Sequence, residues 1–157
     1  MPPITPMLWF DTQAEEAAEF YCSIFPNSKI TNVSRYTEAG PQPAGSAMTV
    51  AFVLDGAEFT ALNGGPHFKF NEAISLVISC ADQAEVDYYW EKLTADGGEE
   101  SQCRWLKDRF GLSWQVTPVG LIEIYTSDDP ARVQRAMQAM FTMKKLDLAA
   151  LKAAAEG

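Results

Sequence analysis

The feature that most restricts the fold is a pattern that occurs twice along the chain, seventy residues apart. In the second copy, residues 74–80 alternate between an apolar set and a more polar set, which predicts a strand with one buried face. Asp82 then offers a helix N-cap with Glu85 three residues later, and a helical apolar stripe follows. In the first copy, a strand predicted over 4–10 leads to a helix that we expect Thr12 to cap. The shared phase indicates an internal duplication.

Each copy continues with three more predicted strands. Asp55-Gly56 predicts a hairpin turn, and residues 38–46, rich in Pro and Gly, predict a loop. The predicted strands are 29–37, 47–54 and 57–63 in the first copy, and 99–102, 103–107 and 112–117 in the second. The sequence therefore predicts an α+β fold of two βαβββ modules.

The C-terminal residues leave this pattern. Asp129 and Pro130 begin a predicted helix, and Asp147 begins a shorter one. The first of these helices carries an apolar stripe of Val133, Met137, Met140 and Phe141. We expect a first module over 1–72, a second over 73–126 and a helical extension over 127–157, forming one compact unit.

Charge excludes several classes of partner. The 157 residues include 12 Lys and Arg against 21 Asp and Glu, for a net charge of -9. A nucleic-acid binder needs a basic face for phosphates, and an anionic membrane surface makes the same demand. No apolar run approaches the roughly 20 residues that span a bilayer, and the start lacks the basic region of a signal peptide. We expect a cytoplasmic protein that binds neither nucleic acid nor a membrane.

The cysteines give no sign of a disulfide framework or a redox motif. Cys22, Cys80 and Cys103 are odd in number and widely spaced, without a C-x-x-C pair. We expect reduced thiols that pack as small apolar groups.

Five segments give the chain a family resemblance. They are 4–11, 62–72, 86–90, 111–115 and 143–147. With these segments the chain resembles the PhnB-like branch of the vicinal-oxygen-chelate superfamily, which includes glyoxalase I, bleomycin-resistance proteins and extradiol dioxygenases. Members of the branch are often named 3-demethylubiquinone-9 3-methyltransferase domain proteins. The resemblance implies a cup-shaped mixed sheet in each module, a cavity in each cup, and a homodimer in which cups are often completed across subunits.

Strand alternation predicts which side chains face each cup. The apolar set of 74–80 should pack against the helix, which leaves the alternate residues for the cup. The metal-binding positions of glyoxalase-like relatives fall near Thr5, Phe59, Ala73 and Gln115. The predicted cup residues are Thr5, Met7, Trp9, Phe59, Ala61 and Asn63 in the first module, and Ser75, Val77, Ser79, Ser113, Gln115 and Thr117 in the second. Because these sets lack imidazoles and carboxylates, we predict no metal and no cofactor.

The candidate ligand contacts are aromatic rings, amides and hydroxyls around the cups. Rings of Trp9, Phe68, Trp105 and Phe110 suit the faces of a planar molecule, although each is equally explained by core or dimer packing. Among the polar candidates, Asn63, Ser75 and Gln115 would orient the polar groups of a ligand. His67, at the rim of the cup, could form a hydrogen bond to the ligand. Lys107 either offers a cation to an anionic ligand or belongs to a solvated hairpin tip.

The sequence thus predicts a metal-independent protein that binds a small, partly aromatic molecule, with the reaction left open. One alternative is an enzyme, either a metal-dependent lyase or isomerase or a quinone-type methyltransferase as the family label suggests. Another is a protein that sequesters its ligand unchanged. No Gly-rich turn after a parallel strand supports a methyl-donor site of the usual kind.

Overall fold

The computed structural model describes residues 2–157. These residues form two compact units that divide between Phe70 and Asn71. Each unit contains one four-stranded sheet in which a single strand pair is parallel. The predicted α+β fold with two βαβββ modules is confirmed.

The first unit follows the predicted order of elements. Its sheet has the strand order β1-β4-β3-β2, with β1 parallel to β4. Asp55 and Gly56 both have positive φ, 46° and 90°, which is the backbone of the predicted hairpin turn. The elements are β1 (Met7–Phe10), α1 (Ala14–Ile24), β2 (Lys29–Arg35), β3 (Ala47–Leu54) and β4 (Ala57–Asn63).

Helix α1 packs on one face of this sheet through small residues and one aromatic ring. Ala14, Ala17 and Tyr21 are buried on the helix. The Tyr21 ring stacks on Phe52 of β3, with ring centroids 6.2 Å apart. Since Ala side chains hold the helix close to the strands, this face forms the core of the unit.

The second unit repeats the arrangement and adds three helices. Its sheet has the strand order β5-β8-β7-β6, with β5 parallel to β8. The added helix α3 was not predicted, since its seven residues continue directly from β8 without a capping side chain. The elements are β5 (Ser75–Cys80), α2 (Gln83–Thr94), β6 (Glu99–Glu100), β7 (Trp105–Lys107), β8 (Ser113–Pro118), α3 (Val119–Tyr125), α4 (Pro130–Met140) and α5 (Leu148–Glu156).

Predicted caps begin three of the helices. The Asp82 carboxylate accepts from Glu85 N at 3.0 Å, and the Glu85 carboxylate accepts from Ala81 N at 2.7 Å, which completes a capping box. The carboxylates of Asp129 and Asp147 cap α4 and α5 by accepting from Ala131 N and Ala150 N. The sequence pattern therefore located these three N-termini correctly.

The added helices enclose an apolar cluster of their own. Phe141 does not join it, because α4 ends at Met140 and the Phe141 side chain is 59% exposed. No helix among residues 2–157 is both long and apolar enough to cross a membrane. The buried members of the cluster are Leu121, Ile124, Ala136, Met140, Leu146, Leu151 and Ala155.

Candidate ligand-binding site

Strand register defines the candidate site on the second sheet. Helix α2 covers one face of this sheet, where Trp90 Nε1 donates to Glu100 Oε1 at 2.7 Å. Register places Gln115 opposite Val77 and Trp105, and Ser113 opposite Ser75 and Lys107, all on the other face. We call this second face the cup face. Its members are Ser75, Val77, Ser79, Trp105, Lys107, Ser113, Gln115 and Thr117.

A hydrogen-bonded chain fixes the amide at the centre of the cup face. Gln115 Nε2 donates to Ser75 Oγ at 2.8 Å, and Gln115 Oε1 accepts from Arg104 Nε at 2.9 Å. The structure thus brings together Ser75 and Gln115, as the alternation indicated. It adds Arg104, which the sequence did not predict as a site residue, and no sequence pattern marked it.

A cavity of about 150 Å³ opens beside the cup face. Trp105, Lys107 and Ser113 line it together with Glu72 and Glu99. Lys107 Nζ forms an ion pair with Glu72 Oε1. The hydrogen bond and the opposite charge lower the pKa of the Glu72 carboxyl and raise the pKa of Lys107. Lys107 therefore lines the cavity, and its charge is paired with a carboxylate.

Two buried hydroxyl groups lie along β8 on the same face. The side-chain oxygens of Ser113 and Thr117 have no hydrogen-bond partner within the described part of the chain. The two residues are only 1% and 7% exposed. An unpartnered buried polar group costs about 1–3 kcal/mol, so we expect these hydroxyls to bond to water or to a ligand.

Phe110 belongs to the hairpin between β7 and β8. Its ring lies 4.8 Å from the guanidinium carbon of Arg109. The turn is held by the buried Asp108 carboxylate, which accepts from Phe110 N at 2.9 Å and from Trp114 Nε1 at 2.9 Å. Phe110 is not among the residues that line the cavity.

Three of the predicted contacts lie together in the first unit. Trp9 Nε1 donates to Gly65 O at 2.9 Å, and the Trp9 ring meets Phe68 edge to face with centroids 4.8 Å apart. Phe68 is 65% exposed, and His67 beside it is also exposed. These side chains form an accessible aromatic pair beside an exposed imidazole.

Asn63, in contrast, lies on the opposite face from Trp9. Register pairs Asn63 with Phe10, while Trp9 pairs with Leu62. The Asn63 Oδ1 accepts from Ala14 N at 2.8 Å, and its Nδ2 donates to Ala47 O at 3.0 Å. Asn63 is buried and caps α1, a role that the sequence assigned to Thr12. A cavity of about 220 Å³ near this helix end includes Asn63 in its wall.

The prediction that Phe59, Ala61 and Asn63 face the first cup is wrong. Phe59 lies opposite Phe52 on the face that α1 covers, and Ala61 is fully buried there. The error arose because β4 was aligned with β8 one residue out of phase, and a slip of one residue exchanges the two faces of a strand. Since Met7 pairs with Thr60 as Val77 pairs with Gln115, Thr60 is the counterpart of Gln115.

Metal-ligand geometry is absent from the described part of the chain. No group of three or more His, Cys, Asp or Glu side chains within residues 2–157 is placed to hold a metal ion.

Comparison with known proteins identifies the family. The sequence model of the 3-demethylubiquinone-9 3-methyltransferase family matches residues 2–117. The chain belongs to this family. A PhnB protein from Bacillus cereus, whose description carries the same methyltransferase name, is 35% identical, covers 74% of this chain and 99% of its own, and superposes with a TM-score of 0.68. No curated protein matches the chain.

More distant structures share the fold. The fosfomycin resistance protein FosX from Listeria monocytogenes is 18% identical over 74% of this chain and 90% of its own, with a TM-score of 0.52. A glyoxalase/bleomycin resistance protein from Albidiferax ferrireducens is 12% identical over 73% and 95%, with a TM-score of 0.50. This member of the methyltransferase-named family therefore has the vicinal-oxygen-chelate fold.

Proposed function

We propose that the protein binds a small, partly aromatic molecule on the cup face of its second sheet. One observation carries the proposal: Trp105 lies directly opposite Gln115 on this face, and Trp105 and Ser113 both line the cavity beside it. A ring can pack on the indole while its polar groups bond to the amide and the hydroxyl.

The size of the cavity supports a ligand with one ring. Its volume is about 150 Å³. A cavity of roughly 150 Å³ in another protein holds a single benzene ring. A one-ring molecule with oxygen substituents therefore matches both the space and the polar groups.

A quinone-type molecule is the second candidate, and the family description favours it. That description names a methyltransferase acting on 3-demethylubiquinone. A quinone headgroup is planar and carries ring oxygens, so the same face suits it. If the protein transfers a methyl group, it must also bind a methyl donor. Calorimetry with S-adenosylmethionine tests this requirement. Micromolar binding favours a methyltransferase, and a lack of binding counts against one.

The binding proposal is tested with two neutral probes that differ only in the ring. We expect 4-hydroxybenzamide to bind and its saturated analogue, 4-hydroxycyclohexanecarboxamide, to bind several-fold more weakly, because only the planar ring stacks on indole. Saturation-transfer NMR and chemical-shift titration measure both affinities.

Matched variants locate the binding surface. Trp105→Ala and Gln115→Ala should each weaken 4-hydroxybenzamide binding, whereas Gln138→Ala on the exposed side of α4 should not. We expect binding to be weakened only by substitutions on the cup face. If neither probe binds at millimolar concentration, or if all three variants bind as the natural protein does, the proposal is wrong.

We further propose a homodimer, because apolar side chains remain exposed on the edge strands β1 and β5 and, at Ile74, just before β5. In the second unit Ile74 is 72% exposed and Val77 is 59% exposed, and in the first unit Met7 is 59% exposed. Exposed apolar groups at sheet edges are typical of surfaces that pair with another chain. Light scattering on a sizing column should give twice the mass of 17.3 kDa, and a monomer at micromolar concentration would contradict this.

A further inference from the structure

We propose that Arg104 binds an anionic oxygen group, such as a carboxylate, on the molecule that occupies the cup face. This inference rests on the proposed function and names the chemical class of its ligand. It makes Arg104 a specificity-determining residue of the site.

The charge of Arg104 has no acidic partner among the residues that the structure describes. A guanidinium has five N–H donors. Those of Arg104 reach Gln115 Oε1 at 2.9 Å through Nε and the Met140 sulfur at 3.5 Å through Nη1. Within residues 2–157 no carboxylate forms an ion pair with Arg104. Arg104 is half-buried, its neighbours are neutral, and some of its N–H donors are not used. Such a guanidinium can bind a carboxylate through two parallel hydrogen bonds.

The backbone holds Arg104 at this place against its intrinsic preference. Cys103 and Arg104 are consecutive residues in the left-handed region, with φ of 54° and 76°. This conformation is unfavourable for a residue other than Gly and persists only where surrounding contacts fix it. Three hydrogen bonds of 2.9 Å fix this pair: Cys103 N to Met143 O, Arg104 N to Lys144 O, and Val116 N to Arg104 O.

Two of these bonds come from the C-terminal extension. Met143 and Lys144 lie beyond residue 117, where the family match ends. Met140, whose sulfur contacts the guanidinium, also lies in the extension. The position of Arg104 is therefore set in part by residues beyond the range that the family model matches.

The distribution of charge orients the ligand. Arg104 precedes β7 and Lys107 ends it, so the two residues lie at opposite ends of this short strand. At the far end, Lys107 is paired with Glu72 and lies opposite Glu99 in register. Because carboxylates outnumber the lysine there, an anionic group is repelled from that end and attracted to Arg104.

The test compares two probes that differ only in charge. 4-Hydroxybenzoate is ionised at neutral pH, and 4-hydroxybenzamide is its neutral counterpart. We expect the natural protein to bind the benzoate about tenfold more tightly or better, as for a charge-assisted hydrogen bond. The Arg104 Nε–H cross-peak in a proton–nitrogen NMR spectrum should shift with the benzoate and much less with the amide.

Variants assign this preference to the guanidinium. Arg104→Met should abolish the preference for benzoate over the amide, and Arg104→Lys should keep part of that preference because the charge remains. Arg132→Met is the matched control, since Arg132 pairs with Glu156 on the surface. Comparison of the two probes on the natural protein needs no variant to fold.

Each outcome separates the two proposals. If both probes bind equally to the natural protein, the role of Arg104 is refuted while the binding function stands. If the preference for benzoate survives in Arg104→Met, another cation is responsible and the inference is wrong. If neither probe binds, the proposed function fails, and the inference fails with it.

Discussion

Replacement of Asn63 by Ala tests whether this residue stabilises the fold or contacts a ligand. The side chain is 7% exposed and bridges two backbone groups, Ala14 N and Ala47 O. Loss of a helix cap costs about 1 kcal/mol, and loss of a buried hydrogen bond costs about 1 kcal/mol more. We therefore expect Asn63→Ala to lower the free energy of unfolding by about 2 kcal/mol.

Urea denaturation and thermal unfolding measure this loss. For a chain of this length, about 2 kcal/mol lowers Tm by roughly 4–8 °C. Hydrogen exchange gives a local readout, because the amide of Ala14 loses its acceptor and should exchange faster. Asn32→Ala, at an exposed position of β2, should change the unfolding free energy by less than about 0.5 kcal/mol.

The result that refutes this reasoning is specific. If Asn63→Ala unfolds at the same urea concentration as the natural protein but loses 4-hydroxybenzamide binding, Asn63 is a ligand contact. The capping role derived from the geometry would then be wrong.

Three further changes probe the fold around the two sheets. Gly64→Ala should lower the unfolding free energy by about 1–3 kcal/mol and alter the Trp9 fluorescence, because an added Cβ would overlap the indole ring; an unchanged spectrum would contradict this. Asp108→Asn should cost about 2–3 kcal/mol in urea denaturation, since its Nδ2 would face the Trp114 Nε1–H donor, and a loss below about 0.5 kcal/mol would exclude that clash. Burial raises the pKa of the Cys80 thiol to about 12, so iodoacetamide at pH 8 should modify it only after unfolding, as mass spectrometry of the intact protein would show.

Local patterns predicted the second sheet well, because its strands alternate strongly. In residues 74–80 only one of the two strand faces is uniformly apolar, so alternation assigned Ser75 and Val77 to the cup face correctly. The residues of β8 that pair with them, Ser113 and Gln115, lie on the same face. The capping box at Asp82 is equally local, since all its atoms lie within four residues. Such features need no knowledge of the rest of the chain.

Residues 57–63 show why the same reasoning failed in the first sheet. Phe59, Ala61 and Leu62 give apolar side chains on both faces, so alternation does not choose between them. Asn63 decides the phase, because its amide meets the first amide of α1, and that contact joins residues 49 positions apart. From the sequence alone, a polar residue at the end of a strand can therefore be mistaken for a ligand contact, because its hydrogen-bond partner within the fold is not known.

The placement of Arg104 depends on contacts that no local pattern contains. Alternation over 103–107 predicted a strand with Cys103, Trp105 and Lys107 on one face, but β7 begins only at Trp105. The two preceding residues turn left-handed because carbonyl groups some 40 residues later accept their amides. That turn directs the Cys103 thiol towards Met140 O, at 3.6 Å, and the Arg104 side chain towards Gln115. Contacts from the extension therefore position a second cation, Arg104, beside a face to which the strands themselves contribute Lys107.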